Sequence, residues 1–176
     1  MCIRDRVDTL NKKSDRKRKK WKGLFLYATD GIQLTLPRSE DILSEDYSGR
    51  KVSKYRESYM PKMFAVGAVD VVNGIVKEFR ENPTLNEVAD ALDIIPKLEA
   101  KSLTIYDRLY GSKKMVIAHS EAGNHFLFRL RKSVCKEMKV IFASKRKRMP
   151  VTVEGVAVQL IKVFNPATKV LSLIHI

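Results

Sequence analysis

Asn73-Gly74 stands between two apolar runs, Lys62–Val72 and Ile75–Phe79, and no other feature of the chain restricts its fold as much. An Asn-Gly pair supplies the positive backbone angles of a tight connection, so the flanking runs are predicted to pair as antiparallel neighbours in a sheet. Ahead of this hairpin, Leu24-Phe25-Leu26-Tyr27-Ala28-Thr29 predicts a buried strand. Asp30-Gly31 then separates it from a second alternating piece, Ile32–Leu36, which predicts two short strands with a turn between them. Residues 38–60 are polar and read as a long surface loop.

Beyond the hairpin the hydrophobic period changes. Thr84 and Glu87 form a capping-box pattern, and Leu85, Val88, Ala89, Leu92 and Ile95 follow helical spacing until Pro96. Lys101–Tyr106 predicts a strand leading into Asp107. Ser112 is placed to cap a helix over Lys113–Ala122 closed by Gly123, and Phe126-Leu127-Phe128 opens another strand. The predicted order is β-β-β-α-β-α-β, a mixed α/β fold. Thr152-Val153 and Val156–Phe164 read as one additional C-terminal strand before Asn165-Pro166 turns the chain.

Charge then narrows the partner. Lys and Arg outnumber Asp and Glu by 34 to 20 in 176 residues, a net charge of +14 that favours a polyanion, with nucleic acid first. The excess is concentrated in residues 11–22, which read as a linker or solvated helix, and in a second basic region from Arg129 to Arg148. No apolar run reaches the roughly 18 residues needed to cross a bilayer, and no signal-peptide core is present, so a cytoplasmic location is expected. Cys2 and Cys135 assemble neither a disulfide framework nor a cysteine-based zinc site.

The two ends invite a separate reading. Met1–Arg6 can be encoded by ATGTGTATAAGAGACAG plus one base, and the reverse complement of that word plus one base encodes Leu171–Ile176. The word resembles an adapter used in sequencing libraries, so residues 1–6 and 171–176 are expected to be foreign. The remainder divides into a basic linker, 7–21, and a core, 22–170.

Two aspartates each follow directly on an apolar strand, Asp30 after Leu26–Thr29 and Asp107 after Leu103–Tyr106. Taken singly, Asp30 reads as an Asp-Gly turn and Asp107 as a strand-end or helix-capping carboxylate. Taken together, adjacent strand ends can hold two hard oxygen ligands for magnesium, which keeps most of its waters. Such a site can activate a nucleophile and stabilise the leaving oxygen of a phosphodiester. His119 and His125 fit no metal-ligand spacing and read as surface or satisfied core residues; Trp21, Tyr55 and Tyr59 could stack on bases, with packing the plainer role.

The words around these aspartates carry a resemblance. Tyr27-Ala28-Thr29-Asp30-Gly31-Ile32-Gln33-Leu34-Thr35-Leu36-Pro37 resembles the first acidic motif of the insertion-sequence-four family of DDE transposases. Leu103–Ser112, with its Asp-Arg-x-Tyr word, resembles the second, and Gly123–Arg129 the strand that follows. The resemblance implies a ribonuclease-H-like core in which Asp30, Asp107 and a later glutamate bind Mg²⁺, or Mn²⁺, to cut and join double-stranded DNA at insertion-sequence ends. It also implies DNA contacts or supporting roles for Arg108 and Tyr110, and makes Arg129, Lys145, Arg146, Lys147 and Arg148 candidate DNA-binding residues. A homodimer is possible for the full-length protein. The family's glutamate belongs to a Tyr-x2-Arg-x3-Glu-x6-Lys pattern that this chain stops short of, and Glu121, Glu137 and Glu154 lack that context. The fragment alone is therefore expected to be inactive. The rival readings are a non-enzymatic basic nucleic-acid-binding module and a metal nuclease of another lineage.

Overall fold

The structure, a computed structural model, describes residues 9, 18–44, 51–53, 56–57, 59–83, 86–130, 136–163 and 171–174. In chain order the elements are β1 (Phe25–Thr35), α1 (Glu40–Ser44), β2 (Lys51–Ser53), β3 (Arg56–Glu57), β4 (Lys62–Asp70) and β5 (Ile75–Asn82). There follow α2 (Glu87–Ile94), a 3₁₀ turn at Ile95–Lys97, β6 (Ser102–Tyr106), α3 (Lys113–Glu121) and β7 (His125–Leu130). The series ends with α4 (Lys136–Ala143), β8 (Arg148–Val153), β9 (Val156–Ile161) and β10 (Leu171–Ile174). Apart from the β2–β3 ribbon, the strands form one mixed sheet in the order β5-β4-β1-β6-β7-β10-β9-β8. Two of its pairings, β1–β6 and β6–β7, are parallel. Each is connected through a helix, as parallel neighbours require.

Alternation along the central strands decides which face is buried. Tyr27 and Thr29 of β1, Ser102, Thr104 and Tyr106 of β6, and Phe126, Phe128 and Leu130 of β7 are all buried. They form the face covered by α2, which packs on β4, β5 and β1, and by α3, which packs on β7 and β9. Ile94, Ile95 and Met115 from the helical side close this core at zero exposure.

Four expectations change in detail. Asp30-Gly31 is not a turn: β1 runs unbroken from Phe25 to Thr35, because β4 pairs with it continuously from Tyr27↔Asp70 to Thr35↔Lys62. The hairpin connection is longer than Asn73-Gly74, since β4 stops at Asp70. The Asp70 carboxylate accepts the backbone amides of Val72 (3.2 Å) and Asn73 (3.1 Å), which pulls Val71 and Val72 out of the strand. The C-terminal tail is a hairpin, β8–β9, instead of one strand. Glu154 (φ 49°) and Gly155 (φ 82°) both turn left-handed there and reverse the chain. Finally, the segment 38–60 contains α1 and the β2–β3 ribbon.

Helix α2 starts at Glu87, with Asn86 as its N-cap and no side-chain capping bond. Thr84 lies outside the described residues, as do Cys2, Tyr55, Cys135 and Asn165-Pro166. Helix α3 lies where the sequence places it, ending at Glu121 with Ala122 at its C-cap and Gly123 left-handed at φ 65°, but Ser112 at its N-cap makes no side-chain capping bond. Strand β10 falls within the six terminal residues expected to be foreign, and it pairs with β7 and β9.

The basic stretch before β1 contributes to the fold where it is described. A tight turn at Lys22 and Gly23 bridges Trp21 to Leu24 and folds Arg18 back over Phe25, 4.3 Å from its ring centroid. The Arg18 guanidinium donates to Asp70 (2.7 Å), to Glu99 (2.5 Å) and to the Tyr27 hydroxyl (2.5 Å). Lys77 completes the group at 2.7 Å from Glu99. The Arg18 and Asp70 side chains are 4% and 1% exposed, so neither charge can fall back on water.

Removing one partner leaves the other charge buried and uncompensated, which costs about 3–5 kcal/mol. Asp70→Ala should therefore lower the unfolding free energy by that amount in urea titrations near neutral pH. Burial alone would raise the Glu99 carboxyl, yet hydrogen bonds from Lys77, Tyr27 and Arg18 pull it from 4.5 down to about 2. Its folded value lies below the unfolded one, so its contribution is complete above pH 4.5 and is lost as pH falls toward 2. Glu99→Gln should flatten the loss of stability across that interval, read as the denaturant midpoint at each pH.

Candidate functional site

Strands β1 and β6 run parallel with Phe25 opposite Ser102 and Thr29 opposite Tyr106. The next residue after each is an aspartate, Asp30 within β1 and Asp107 just past the end of β6, so the two stand at the same level. Backbones of neighbouring strands lie about 4.8 Å apart. Because Thr29 and Tyr106 point into the helix-covered core, the alternation turns Asp30 and Asp107 to the opposite face. There they line a cleft of about 390 Å³ with Ala28, Ile105, Leu127 and Arg129.

Asp30 occupies a particular point on β1. Up to Thr29 the strand has neighbours on both sides; beyond it β6 has ended and only β4 continues. The carboxylate thus stands where the sheet opens, exposed to solvent and accepting the amide of Gly31 at 2.9 Å. Asp107 is about half exposed, and the Arg129 guanidinium of β7 approaches it to 4.0 Å. That separation, at exposed groups, is worth little in stability; it shows that a cation already sits beside Asp107.

A second polar layer lies beneath the cleft. The Tyr106 hydroxyl and His119 Nε2 are 2.9 Å apart within an aromatic cluster containing Tyr110, Phe126 and Phe128. His119 is fully buried, as a core histidine would be, and burial pushes the Tyr106 phenol up. Tyr110 is fully buried too, and therefore cannot be the DNA contact that the resemblance allowed. Its hydroxyl donates to Glu87 Oε2 at 3.4 Å. Burial first, then the charges of Glu87 and Asp30, raise its pKa.

Glu87 was missed by sequence reasoning, which gave it to a helix cap. Here it leans on β1: a Cβ placed on Gly31 would stand 2.6 Å from Glu87 Cδ, closer than real atoms approach. The available signal was the glycine directly after Asp30, since glycine inside a strand marks close approach of another group. Among the described residues, no three His, Cys, Asp or Glu side chains gather in a group that could hold a metal ion. Asp30 and Asp107 offer two hard oxygen donors facing one open cleft, a set that suits a cation retaining most of its waters.

The basic candidates fall at the same end of the sheet. Arg108 is exposed beside Asp107, and Arg129 borders the cleft. Lys145, Arg146, Lys147 and Arg148 are exposed at the start of β8, whose first residue pairs with Ile161 at the end of β9. Four strand spacings of about 4.8 Å separate β8 from β6, so this cluster stands roughly 19 Å from Asp107 across the sheet. Trp21 is 44% exposed and Tyr59, with Arg38 stacked at 4.5 Å, is 73% exposed. Glu121 is exposed at the end of α3, and Glu154 pairs with Lys113 at 2.5 Å.

No family model matches the chain. Over 125 residues it is 26% identical to the protein named "Putative transposase InsZ" of Escherichia coli (strain K12), a match spanning 67% of this chain and 40% of that protein. Its fold is similar to the piggyBac transposase in a synaptic complex with hairpin DNA, at a TM-score of 0.53 and 12% identity, covering 85% of this chain and 33% of that one. The chain is transposase-like. Ciona intestinalis Endonuclease V in complex with DNA is also similar, at 7% identity over 97% of this chain and 82% of that one, but at a TM-score of 0.37 the likeness is slight. The mixed sheet with few helices is consistent with a ribonuclease-H-like transposase fold. No described helix is long and apolar enough to cross a membrane.

Tyr106 joins the cleft to the core beneath it, and a buried polar group deprived of its partner costs roughly 1–3 kcal/mol. Tyr106→Phe should lower stability within that range while leaving the secondary structure seen by circular dichroism unchanged.

Proposed function

We propose that this chain is part of a DDE-type transposase of the insertion-sequence-four family, which cuts and joins phosphodiesters at insertion-sequence ends. The single observation that carries the reading is the register of β1 and β6, which delivers Asp30 and Asp107 to one cleft on a transposase-like sheet. In this reading the two carboxylates hold Mg²⁺, or Mn²⁺ in its place. When bound, the metal supplies a Lewis acid for the phosphodiester and lowers the pKa of its bound water. Asp30 and Asp107 fix its position from two rigid strands. Arg129 gives up its approach to Asp107 and turns its charge toward a DNA phosphate. Arg108 and the cluster Lys145, Arg146, Lys147 and Arg148 hold the double-stranded DNA backbone on either side of the cleft. The family pattern calls for a third acid beside Asp30 and Asp107.

Titration calorimetry with Mn²⁺ on the intact chain tests the metal assignment. We expect weak binding that Asp107→Ala abolishes; a non-enzymatic DNA-binding module would show no divalent-ion binding dependent on Asp30 or Asp107. Phosphate contacts make affinity fall with salt, by a slope of roughly one per contact. Replacing Arg146 and Lys147 together by serine should therefore reduce the slope of log K against log salt by about 2 on duplex DNA, whatever its sequence. An unchanged slope would remove this cluster from the interface.

A further inference from the structure

We infer that the end of the sheet opposite the cleft binds a second segment of DNA, on a rigid basic surface formed by Lys19, Lys20, Lys22 and Lys101 around Trp21. The inference shares with the proposed function only the class of partner; it needs neither the metal nor the two aspartates.

Strands β1 and β6 are parallel, so their starts lie together at one end of the sheet, away from Asp30 and Asp107. Phe25 and Asp30 are five residues apart on β1, which separates this surface from the cleft by roughly 17 Å. By composition, Lys19-Lys20-Trp21-Lys22 should be loose and solvated. Instead the surface is fastened at three points. The Lys19 amide donates to Asn73 Oδ1 at 2.8 Å, and Asn73 Nδ2 donates to the Lys19 carbonyl at 3.0 Å. Trp21 and Leu24 exchange backbone hydrogen bonds of 2.9 Å across the turn, and the Phe25 amide donates to the Lys101 carbonyl at 3.4 Å. The β4–β5 turn, the turn before β1 and the start of β6 are neighbours in the sheet and thereby present one surface.

Two observations assign this surface to a ligand. Lys22 (φ 49°) and Lys101 (φ 61°) both hold left-handed backbone, which glycine adopts without the steric cost that a lysine carries. Both residues are exposed, so neither side chain offsets that cost by packing in the core. Strain retained at exposed, charged residues points to a function for the charge. The second observation is electrostatic. Arg18 and Lys77, close by, are neutralised by Asp70 and Glu99. Among the described residues, no acidic side chain pairs with Lys19, Lys20, Lys22 or Lys101. Four cations gathered around an indole that is 44% exposed repel one another until a polyanion joins them. DNA supplies both complements, phosphates for the ammonium groups and base faces for the indole.

Trp21 is the single tryptophan of the chain, so its fluorescence reports this surface alone. We expect short single-stranded and duplex DNA to quench its emission saturably. Trp21→Ala should weaken single-strand binding about fivefold or more, read by the anisotropy of a labelled oligonucleotide. Replacing Lys22 and Lys101 together by glycine removes charge and strain at once. That variant should keep or raise the melting temperature while the slope of log K against log salt on duplex DNA falls by about 2. An unchanged slope, or DNA binding that leaves the Trp21 emission unaltered, overturns the inference, as does quenching by phosphatidylserine vesicles but not by DNA. The serine replacements at Arg146 and Lys147 separate this surface from the cleft. If they flatten the salt dependence and the glycine replacements do not, the inference falls and the proposed interface stands.

Discussion

The parallel pairing of β1 with β6 is the constraint on which the rest of this molecule depends. It is a non-local contact between segments far apart in the chain, made only because the hairpin, α2 and the 3₁₀ turn carry the chain back beside its first strand. Side chains alternate along a strand, so the same register sends Tyr27, Thr29, Thr104 and Tyr106 inward and Asp30 and Asp107 outward. A slip of one residue in either strand would exchange these sets, burying a carboxylate among aromatic rings and exposing a tyrosine. Core packing and the acidic cleft are thus two consequences of one register.

The two ends of β1 are secured by different chemistry. Near its start, the Arg18, Asp70, Glu99, Tyr27 and Lys77 network ties the upstream segment, the β4–β5 hairpin and the turn after α2 to one buried guanidinium. Burial by itself would lower the Arg18 pKa, and the hydrogen bonds with Asp70, Tyr27 and Glu99 outweigh it, so the charge is held firmly. Farther along, at Asp30, the sheet opens and polar groups face solvent. The strand is rigid where it is clamped and chemically accessible where it loses a neighbour, the combination that a positioned carboxylate needs.

Positive charge is distributed to match. Arg129 and Arg108 stand beside the aspartates, and Lys145 to Arg148 lie roughly 19 Å away at the same sheet end. The chain is similar to InsZ in sequence and to the piggyBac transposase in fold, over less than half the length of either protein.

The sequence by itself determined the pieces whose causes are local: the β4–β5 hairpin, the span of α3 with Gly123 at its end, the strands leading into both aspartates, and the basic charge. Where it erred, a distant partner had replaced the local cause. Asp30-Gly31 has the composition of a turn, but β4 supplies hydrogen bonds through it and keeps β1 extended. Glu154-Gly155 interrupts a run of alternating residues, and only the pairing of β8 with β9 makes it a reversal. Arg18 is one of many lysines and arginines in a charged stretch until Asp70 and Glu99, remote in sequence, surround it. Glu87 fits a capping pattern, and only the approach of α2 to β1 sets its carboxyl against Gly31. Propensity and periodicity act over a few residues and can be read from the chain, whereas the side chains that meet across a sheet are chosen by register and packing, which exist only once the chain has folded.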